Sequence, residues 1–131
     1  MKTKEIKQSV VIGASPKAVF DSLMKEKKHA EFTGESAKID PKIGGQFFCY
    51  GKYISGRNLE LVPSKLIVQA WRSQDWPEGH YSLVTYKLDE AGKGKTRITF
   101  TQIGVPASDF KAKSSGWKMH YWEPLKQMLE N

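Results

Sequence analysis

Apolar side chains recur at helical spacing over only one long stretch of the chain, Ser108 to Asn131. They follow one another at steps of seven, four, four and three residues, which places them on one stripe of an α-helix. The stripe consists of Phe110, Trp117, Tyr121, Leu125 and Met128. Burying each such side chain contributes roughly 1.5–3 kcal/mol, so this helix needs a large apolar partner.

The ends of this predicted helix carry two further signals. Ser108 is positioned to be its N-cap, and Asp109 suits the positive end of the helix dipole in the first turn. Pro124 lies deep inside the helix, where it removes one backbone hydrogen bond and collides with the carbonyl group of His120. We therefore expect a kink at Pro124.

The N-terminal part of the chain predicts one strand and two short helices. Glu5 to Ile12 reads as the strand. Ser15 followed by Pro16 is a typical helix start, since the hydroxyl caps the helix and proline lacks an N–H that would be unpaired there. A second short helical piece covers His29 to Phe32 and ends before Gly34.

From Glu35 onward the period changes to two, and turn residues separate short strands. The predicted strands are Ser36–Ile39, Gln46–Tyr50, Tyr53–Val62, Lys65–Arg72, His80–Leu88 and Thr96–Ile103. Short connections favour an antiparallel meander. In the last three strands one face is mostly apolar, whereas in Tyr53–Leu61 both faces mix apolar and polar residues. The pattern predicts an α+β fold, a curved antiparallel sheet of six or seven strands wrapped around the C-terminal helix.

Composition limits the class of protein. A length of 131 residues with 39% hydrophobic content fits one domain, residues 1–131. The apolar run Val10 to Ile12 is too short for a signal peptide or membrane insertion, and the lone Cys49 reads as a small buried hydrophobe, so we predict a cytoplasmic protein. Despite the net charge of +7, scattered lysines and only three arginines argue against nucleic-acid binding.

The space between the helix and the sheet is the first candidate site. Apolar walls with sparse polar groups are typical of a small-molecule cavity. A close-packed core, in which those polar groups bond to one another, is the alternative that the pattern leaves open. The predicted lining consists of Phe32, Phe47, Gln69, Trp71, Ser82, Val84, Tyr86, Phe100, Gln102, Trp117, Tyr121 and Leu125.

Two other features of the sequence are candidate sites. In the turn DWPEGHYS, Trp76 either closes the mouth of the cavity or packs on the edge of the sheet. No metal-ligand spacing, nucleophile motif or phosphate-binding loop occurs in the sequence, so no cofactor and no metal are predicted. A catalytic role would require Glu60 or His120 to face the cavity as a general base.

Four stretches carry a resemblance to a known family. They are AEFTGESAKIDPKIGGQF (Ala30 to Phe47), SGRNLELVPSKLIVQAWRSQDWPEGHYSLVTYKL (Ser55 to Leu88), TQIGVP (Thr101 to Pro106) and GWKMHYWEPLKQMLE (Gly116 to Glu130). The chain resembles the C-terminal domain of the activators of the heat shock protein 90 ATPase and their single-domain bacterial homologues. The eukaryotic activators carry a separate N-terminal domain. The resemblance implies the helix-grip fold of the START and Bet v 1-like superfamily, with a cavity between helix and sheet.

These observations leave three functions to compare. The leading hypothesis is a non-catalytic, stress-related domain that binds a small hydrophobic or amphipathic ligand in the cavity. The second is a chaperone-interacting protein that docks through its scattered lysines and the convex face of its sheet. The third is an enzyme of the cyclase or hydrolase kind found elsewhere in the superfamily. The oligomeric state is left open.

Overall fold

A computed structural model describes residues 1–130 of the chain. The elements, in chain order, are β1 (Thr3–Ile12), α1 (Pro16–Met24), α2 (Glu26–Thr33), β2 (Ala37–Ile39), β3 (Gln46–Cys49), β4 (Ile54–Val62), β5 (Leu66–Ser73), β6 (Ser82–Glu90) and β7 (Thr96–Pro106). A 3-10 turn (Ala107–Asp109), α3 (Phe110–Trp117), a π turn (Lys118–Trp122) and α4 (Glu123–Leu129) follow without interruption. We call residues 107–129 the C-terminal helix. The predicted α+β helix-grip architecture is confirmed.

The strands form one antiparallel sheet in the order β1-β7-β6-β5-β4-β3-β2. From β2 to β7, consecutive strands lie side by side, as the short connections between them favour. The C-terminal helix covers one face, which we call the inner face, and the indole rings of Trp117 and Trp122 pack on Phe100 and Tyr86. The opposite face of the sheet is the outer face.

The alternation predicted for β5, β6 and β7 is confirmed by burial. Their inner-face residues are Ile67, Gln69 and Trp71; Ser82, Val84, Tyr86 and Leu88; and Thr96, Ile98, Phe100 and Gln102. The pairing of β4 with β5 shifts between Asn58 and Glu60. This bulge moves the inward position from Asn58 to Leu61 and explains why neither face of β4 looked apolar along the whole strand.

The helix starts are partly as predicted. The Ser15 hydroxyl accepts a hydrogen bond from the Ala18 N–H at 3.2 Å, so its N-cap role is confirmed. The N-cap assigned to Ser108 is wrong, because β7 continues to Pro106 and Ser108 lies inside the 3-10 turn, which has no side-chain cap. The Asp109 carboxylate accepts a hydrogen bond from the Trp76 indole and forms an ion pair with Lys113.

The C-terminal helix departs from α-helical geometry just before Pro124, where it forms the π turn. The Glu123 N–H bonds to the Lys118 carbonyl, five residues back, and α4 then begins with Pro124 in its first turn. A proline is tolerated in that position because its missing N–H falls where the helix ladder is already interrupted. The Tyr50 hydroxyl donates to the carbonyl of His120, the group that Pro124 cannot serve, at 3.3 Å.

Candidate functional site

All twelve residues predicted to line a cavity are buried in the core between the C-terminal helix, α2 and the sheet. Phe32, Phe47, Gln69, Trp71, Ser82, Val84, Tyr86, Phe100, Gln102, Trp117, Tyr121 and Leu125 expose between 0% and 6% of their surface. The Trp117 indole is central, with ring centroids of Phe100 at 4.4 Å and of Tyr121 at 4.7 Å. These contacts fill much of the space in which a ligand was predicted.

The polar members of this set all have hydrogen-bond partners within the core. The Gln102 amide accepts a hydrogen bond from the Trp117 indole N–H at 2.7 Å and donates to the Ser82 hydroxyl at 3.0 Å. That hydroxyl donates to the Trp71 carbonyl at 2.9 Å. Gln69 donates to Asn58, whose own amide N–H groups bond to backbone carbonyls. Because buried polar groups must be paired, these bonds explain the inward polar residues without a ligand.

An opening remains beside the filled core, between the β3–β4 turn and the C-terminal helix. We call it the aromatic groove, and its volume is about 280 Å³. It is lined by Tyr50, Tyr53, Ile54, Trp71, Ala112, Lys113, Gly116, Trp117, His120 and Tyr121. Three predicted cavity residues, Trp71, Trp117 and Tyr121, therefore border an opening. The ligand set as a whole stays a prediction.

The turn tryptophan, Trp76, packs behind Trp71 and does not line the aromatic groove. Trp76 is only 5% exposed, and its ring centroid lies 5.5 Å from that of Trp71. Its indole N–H donates to the Asp109 carboxylate at 2.7 Å, and the same carboxylate forms an ion pair with Lys113 at 2.9 Å. Trp76 therefore ties the β5–β6 turn to the start of the C-terminal helix. It is a packed residue of the core edge.

A second buried cluster joins α2, β3 and the π turn. The His29 Nε2 atom lies 2.8 Å from the Tyr121 hydroxyl and 3.7 Å from the Cys49 sulfur. The His29 Nδ1 atom is buried without a hydrogen-bond partner. Burial lowers the pKa of His29 to about 4 and raises the pKa of Cys49 to about 12. The imidazole is therefore neutral and the thiol protonated near pH 7.

Sequence reasoning did not detect this cluster. His29, Cys49 and Tyr121 are far apart along the chain, and no spacing rule connects them. The signal that was available is the position of His29 on the apolar face of a short helix, three residues before the buried Phe32. Cys49 is buried, as predicted for a small hydrophobe.

The two residues considered as general bases are both exposed. Glu60 lies at the bulge of β4, away from the core, and His120 stands at the rim of the aromatic groove. A general base in the cavity would have to be buried, and neither residue is buried. Within residues 1–130, no group of three His, Cys, Asp or Glu side chains is placed to hold a metal ion.

The outer face carries an exposed apolar cluster at one end of the sheet. Leu83 and Ile103 are 39% and 50% exposed and are direct cross-strand neighbours. Tyr81, 49% exposed, adjoins them, and the Arg72 guanidinium lies 5.9 Å from the centre of its ring. We call Arg72, Tyr81, Leu83 and Ile103 the outer patch. Exposed apolar clusters flanked by arginine are typical of protein–protein contact surfaces.

The positive charge beside the outer patch is not neutralised. Arg72 donates to the backbone carbonyls of Trp76 and Pro77, and Arg57 on neighbouring β4 donates to that of Gly44. Neither arginine forms an ion pair with a carboxylate of residues 1–130. The guanidinium groups are held in place by backbone contacts while their charge remains free to meet an acidic partner.

Comparison with known proteins assigns the family. A family model described as Activator of Hsp90 ATPase homolog 1-like protein matches residues 13–130. The chain belongs to this family. An activator of 90 kDa heat shock protein ATPase homolog from Dictyostelium discoideum is 32% identical over 124 residues, which are 95% of this chain and 32% of the relative. Homolog 1 from Homo sapiens is 31% identical over 113 residues, or 86% and 33%.

The chain thus spans about a third of the length of the curated activator relatives it matches. Among solved structures, an HSP90 activator from Plasmodium falciparum superposes with a TM-score of 0.91 at 22% identity, covering 96% of both chains. The Aha1 dimer from Colwellia psychrerythraea gives 0.81 at 19% identity, covering 97% and 96%. These similarities show the shared fold. In the part that the structure describes, no helix is long and apolar enough to cross a membrane.

Proposed function

We propose that this protein binds a chaperone of the Hsp90 class and modulates its ATPase without performing chemistry of its own. The observation that carries the proposal is membership of the activator family over residues 13–130. Residues 1–131 would act as one domain, since seven strands share one sheet and one core. The lone buried cysteine supports a role in the cytoplasm.

The outer patch is the surface that we propose for this contact. Its Leu83 and Ile103 side chains would be desolvated by the partner, and Arg57 and Arg72 would meet carboxylates on the partner. The inner face is unsuitable for docking because the C-terminal helix already covers it. A contact that combines apolar burial with unpaired arginines should weaken as the salt concentration rises.

The test uses the purified protein and an Hsp90-class chaperone from the same organism. Binding is measured by calorimetry at two salt concentrations, and ATP turnover of the chaperone is measured in parallel. Leu83→Glu combined with Ile103→Glu should weaken binding at least about tenfold. Thr85→Glu combined with Thr101→Glu is the matched control, because these two residues are also cross-strand neighbours and add the same two charges to the outer face outside the patch.

Equal chaperone binding by the Leu83/Ile103 variant and by wild type would exclude the outer patch as the contact surface. An absence of binding by wild type at low salt would contradict the chaperone partnership itself. Binding with no change in ATP turnover would contradict the modulating role. The ligand-binding function that the sequence also predicts would use the aromatic groove, which Trp71, Trp117 and Tyr121 border.

A further inference from the structure

β1 is an edge strand of the sheet, and one of its sides has no neighbouring strand within residues 1–130. Its hydrogen-bonding pattern can be traced from the β6–β7 hairpin. There the Ala91 N–H donates to the Lys95 carbonyl at 3.0 Å, which makes these two residues a hydrogen-bonded pair. Such pairs recur at every second residue of an antiparallel ladder. On β7, the residues of odd number from Arg97 to Ile103 therefore bond to β6.

The same alternation continues from β7 into β1. Since the odd positions of β7 face β6, the even positions from Thr96 to Gln102 bond to β1, where their partners are the even positions from Ile6 to Ile12. Lys7, Ser9 and Val11 therefore direct their backbone N–H and C=O groups toward the free side of the strand. None of these groups has a hydrogen-bond partner within residues 1–130.

The C-terminal helix runs alongside this free edge. Contacts in chain order join Lys4 to Phe110, Gln8 to Ser114 and Gly13 to Glu130. The helix and β1 therefore lie side by side over the length of the strand. Between them an opening of about 390 Å³ remains at the edge of the sheet, and we call it the edge groove. Residues 8–10 form its strand wall, and Lys118, Trp122, Glu123 and Lys126 form its helix wall.

The edge groove carries an excess of positive charge. Lys118 and Lys126 line it, Lys7 is exposed beside it, and Glu123 is the only acidic residue of its lining. None of the three lysines forms an ion pair with a carboxylate of residues 1–130. Lys118 and Lys126 are about two helix turns, or roughly 12 Å, apart. Residues i and i+4 of a strand are spaced about 13 Å apart and share one face, so acidic side chains at those positions would reach both lysines.

We propose that the edge groove binds an extended acidic segment of a partner protein. The segment adds to the sheet as a further strand, with backbone hydrogen bonds to Lys7, Ser9 and Val11 and acidic side chains on Lys118 and Lys126. Lysines on an edge strand oppose pairing with a second basic strand, so another copy of this chain is a poorer occupant. The proposal is independent of chaperone binding, which is assigned to the outer face of the sheet.

The probe is the acetylated and amidated peptide EVEVEVE, titrated into the full chain and followed by two-dimensional amide NMR. It should bind with a dissociation constant on the order of 1 mM or tighter, and the charge-reversed peptide KVKVKVK should not bind. The amides of Lys7, Ser9 and Val11 should shift and become protected from solvent exchange. Those of Gln8 and Val10, which already bond to β7, should gain no protection.

Two methylated peptides separate strand addition from general charge attraction. One is N-methylated on the valines of EVEVEVE and the other on its glutamates, and both keep every charge. Only one set of alternate N–H groups in an added strand faces β1. One methylated peptide should therefore lose binding while the other keeps it. Equal behaviour of the two peptides would show that the backbone does not pair with β1 and would overturn the proposal.

Variants of the protein test each wall of the groove. Ser9→Pro removes an edge N–H and should weaken binding at least about tenfold, whereas Ser9→Ala keeps it and should bind as wild type does. Lys118→Gln combined with Lys126→Gln should weaken binding several-fold. Lys27→Gln combined with Lys93→Gln removes two exposed charges elsewhere and should have little effect. A melting curve verifies that each variant is folded.

The proposal is overturned if EVEVEVE gives no saturable shifts, if the shifts lie away from β1 and the C-terminal helix, or if Ser9→Pro binds as tightly as Ser9→Ala. Sedimentation velocity without and with peptide tests the alternative occupant. A dimer that dissociates when the peptide is added would assign the edge to a second copy of the chain and would also overturn the acidic partner. Because peptide binding is measured without a chaperone, its failure is distinguishable from failure of the proposed function.

Discussion

His29 is the least expected residue of the core. Its imidazole is 3% exposed, with one nitrogen on the Tyr121 hydroxyl and the other without a partner. A neutral imidazole tolerates this environment, but a charged imidazole does not, because no carboxylate neighbours it. The groups around it are Tyr121 of the π turn, Cys49 of β3 and Phe32 of its own helix. Its protonation therefore opposes folding.

Acid should destabilise the protein through His29. The pKa of this group is 6.5 in a free chain and falls to about 4 on burial. Above pH 6.5 both states are neutral and the stability is intact. As the pH falls from 6.5 to 4, His29 becomes protonated in the unfolded chain but stays neutral in the folded chain. The free energy of unfolding therefore decreases by up to about 3 kcal/mol. Urea unfolding at pH 7 and pH 4.5 measures the loss.

The control for this prediction separates His29 from the carboxylates. His29→Gln keeps a hydrogen-bonding group opposite Tyr121 and cannot titrate, so its stability should fall less between the two pH values. His120→Gln, at an exposed position, should behave as wild type does. Asp21 and Asp75, whose pKa values are lowered in the fold, contribute equally in all three proteins. Parallel loss in His29→Gln and wild type would contradict the prediction.

At the scale of elements, the C-terminal helix combines three geometries. It starts as a 3-10 turn, continues as α3, loosens into the π turn and ends as α4. The π turn places Tyr121 and Trp122 both in the core, where Tyr121 meets His29 and the Trp122 indole donates to Gln8 of β1 at 2.7 Å. Insertion of one residue into a helix turn is a common way to re-aim neighbouring side chains.

Gly116 lies inside α3, and its substitution tests how tightly the C-terminal helix packs at this position. Gly116→Ala should raise the free energy of unfolding by about 1 kcal/mol, because alanine favours a helix and its Cβ has room. Gly34→Ala is the opposite case, since Gly34 ends α2 at a φ of 75° and alanine there should cost about 1 kcal/mol. Chemical denaturation of both variants measures the two changes. Destabilisation by Gly116→Ala would mean that the helix is packed more tightly there than the structure shows.

At the scale of the whole molecule, stability should decrease from the centre of the sheet toward β2. β5 has three strands on either side, whereas β2 is an edge strand that pairs with β3 over only three residues. The Glu26 carboxylate at the start of α2 accepts a hydrogen bond from the Ile39 N–H at 2.9 Å. This contact couples α2 to the edge strand, so the two should open together.

Hydrogen exchange monitored by NMR measures this gradient. Amides of β5 and β6 should exchange slowest and those of β2 and α2 fastest, because edge pairing and few buried contacts lower the free energy of local opening. Glu26→Ala should speed exchange at Ile39 and leave β6 unchanged, whereas Glu31→Ala, exposed in the same helix, should alter neither. Equal protection of β2 and β6 would show that the sheet opens only as a unit.

The architecture could be predicted from the sequence because it depends on short-range patterns. A period of two along β5, β6 and β7 defines the inner face of the sheet, and a period near 3.6 after residue 108 defines the helix that covers it. Local chemistry also placed the helix start at Ser15, whose hydroxyl bonds to Ala18. Each of these features depends on residues only a few positions apart, so the chain order itself contains the information.

The sites depend on contacts between residues that are distant in sequence, and only the tertiary structure decided them. The inward polar residues Gln69, Ser82 and Gln102 can be read from the sequence, but their partners cannot. Only the three-dimensional arrangement shows that Gln102 binds Ser82 and the Trp117 indole and that Gln69 binds Asn58. The bulge in β4, the His29–Tyr121 contact and the opening at Gly116 likewise arise where separate elements meet. Periodicity determines which way a side chain faces, whereas the three-dimensional packing of the elements determines what it touches.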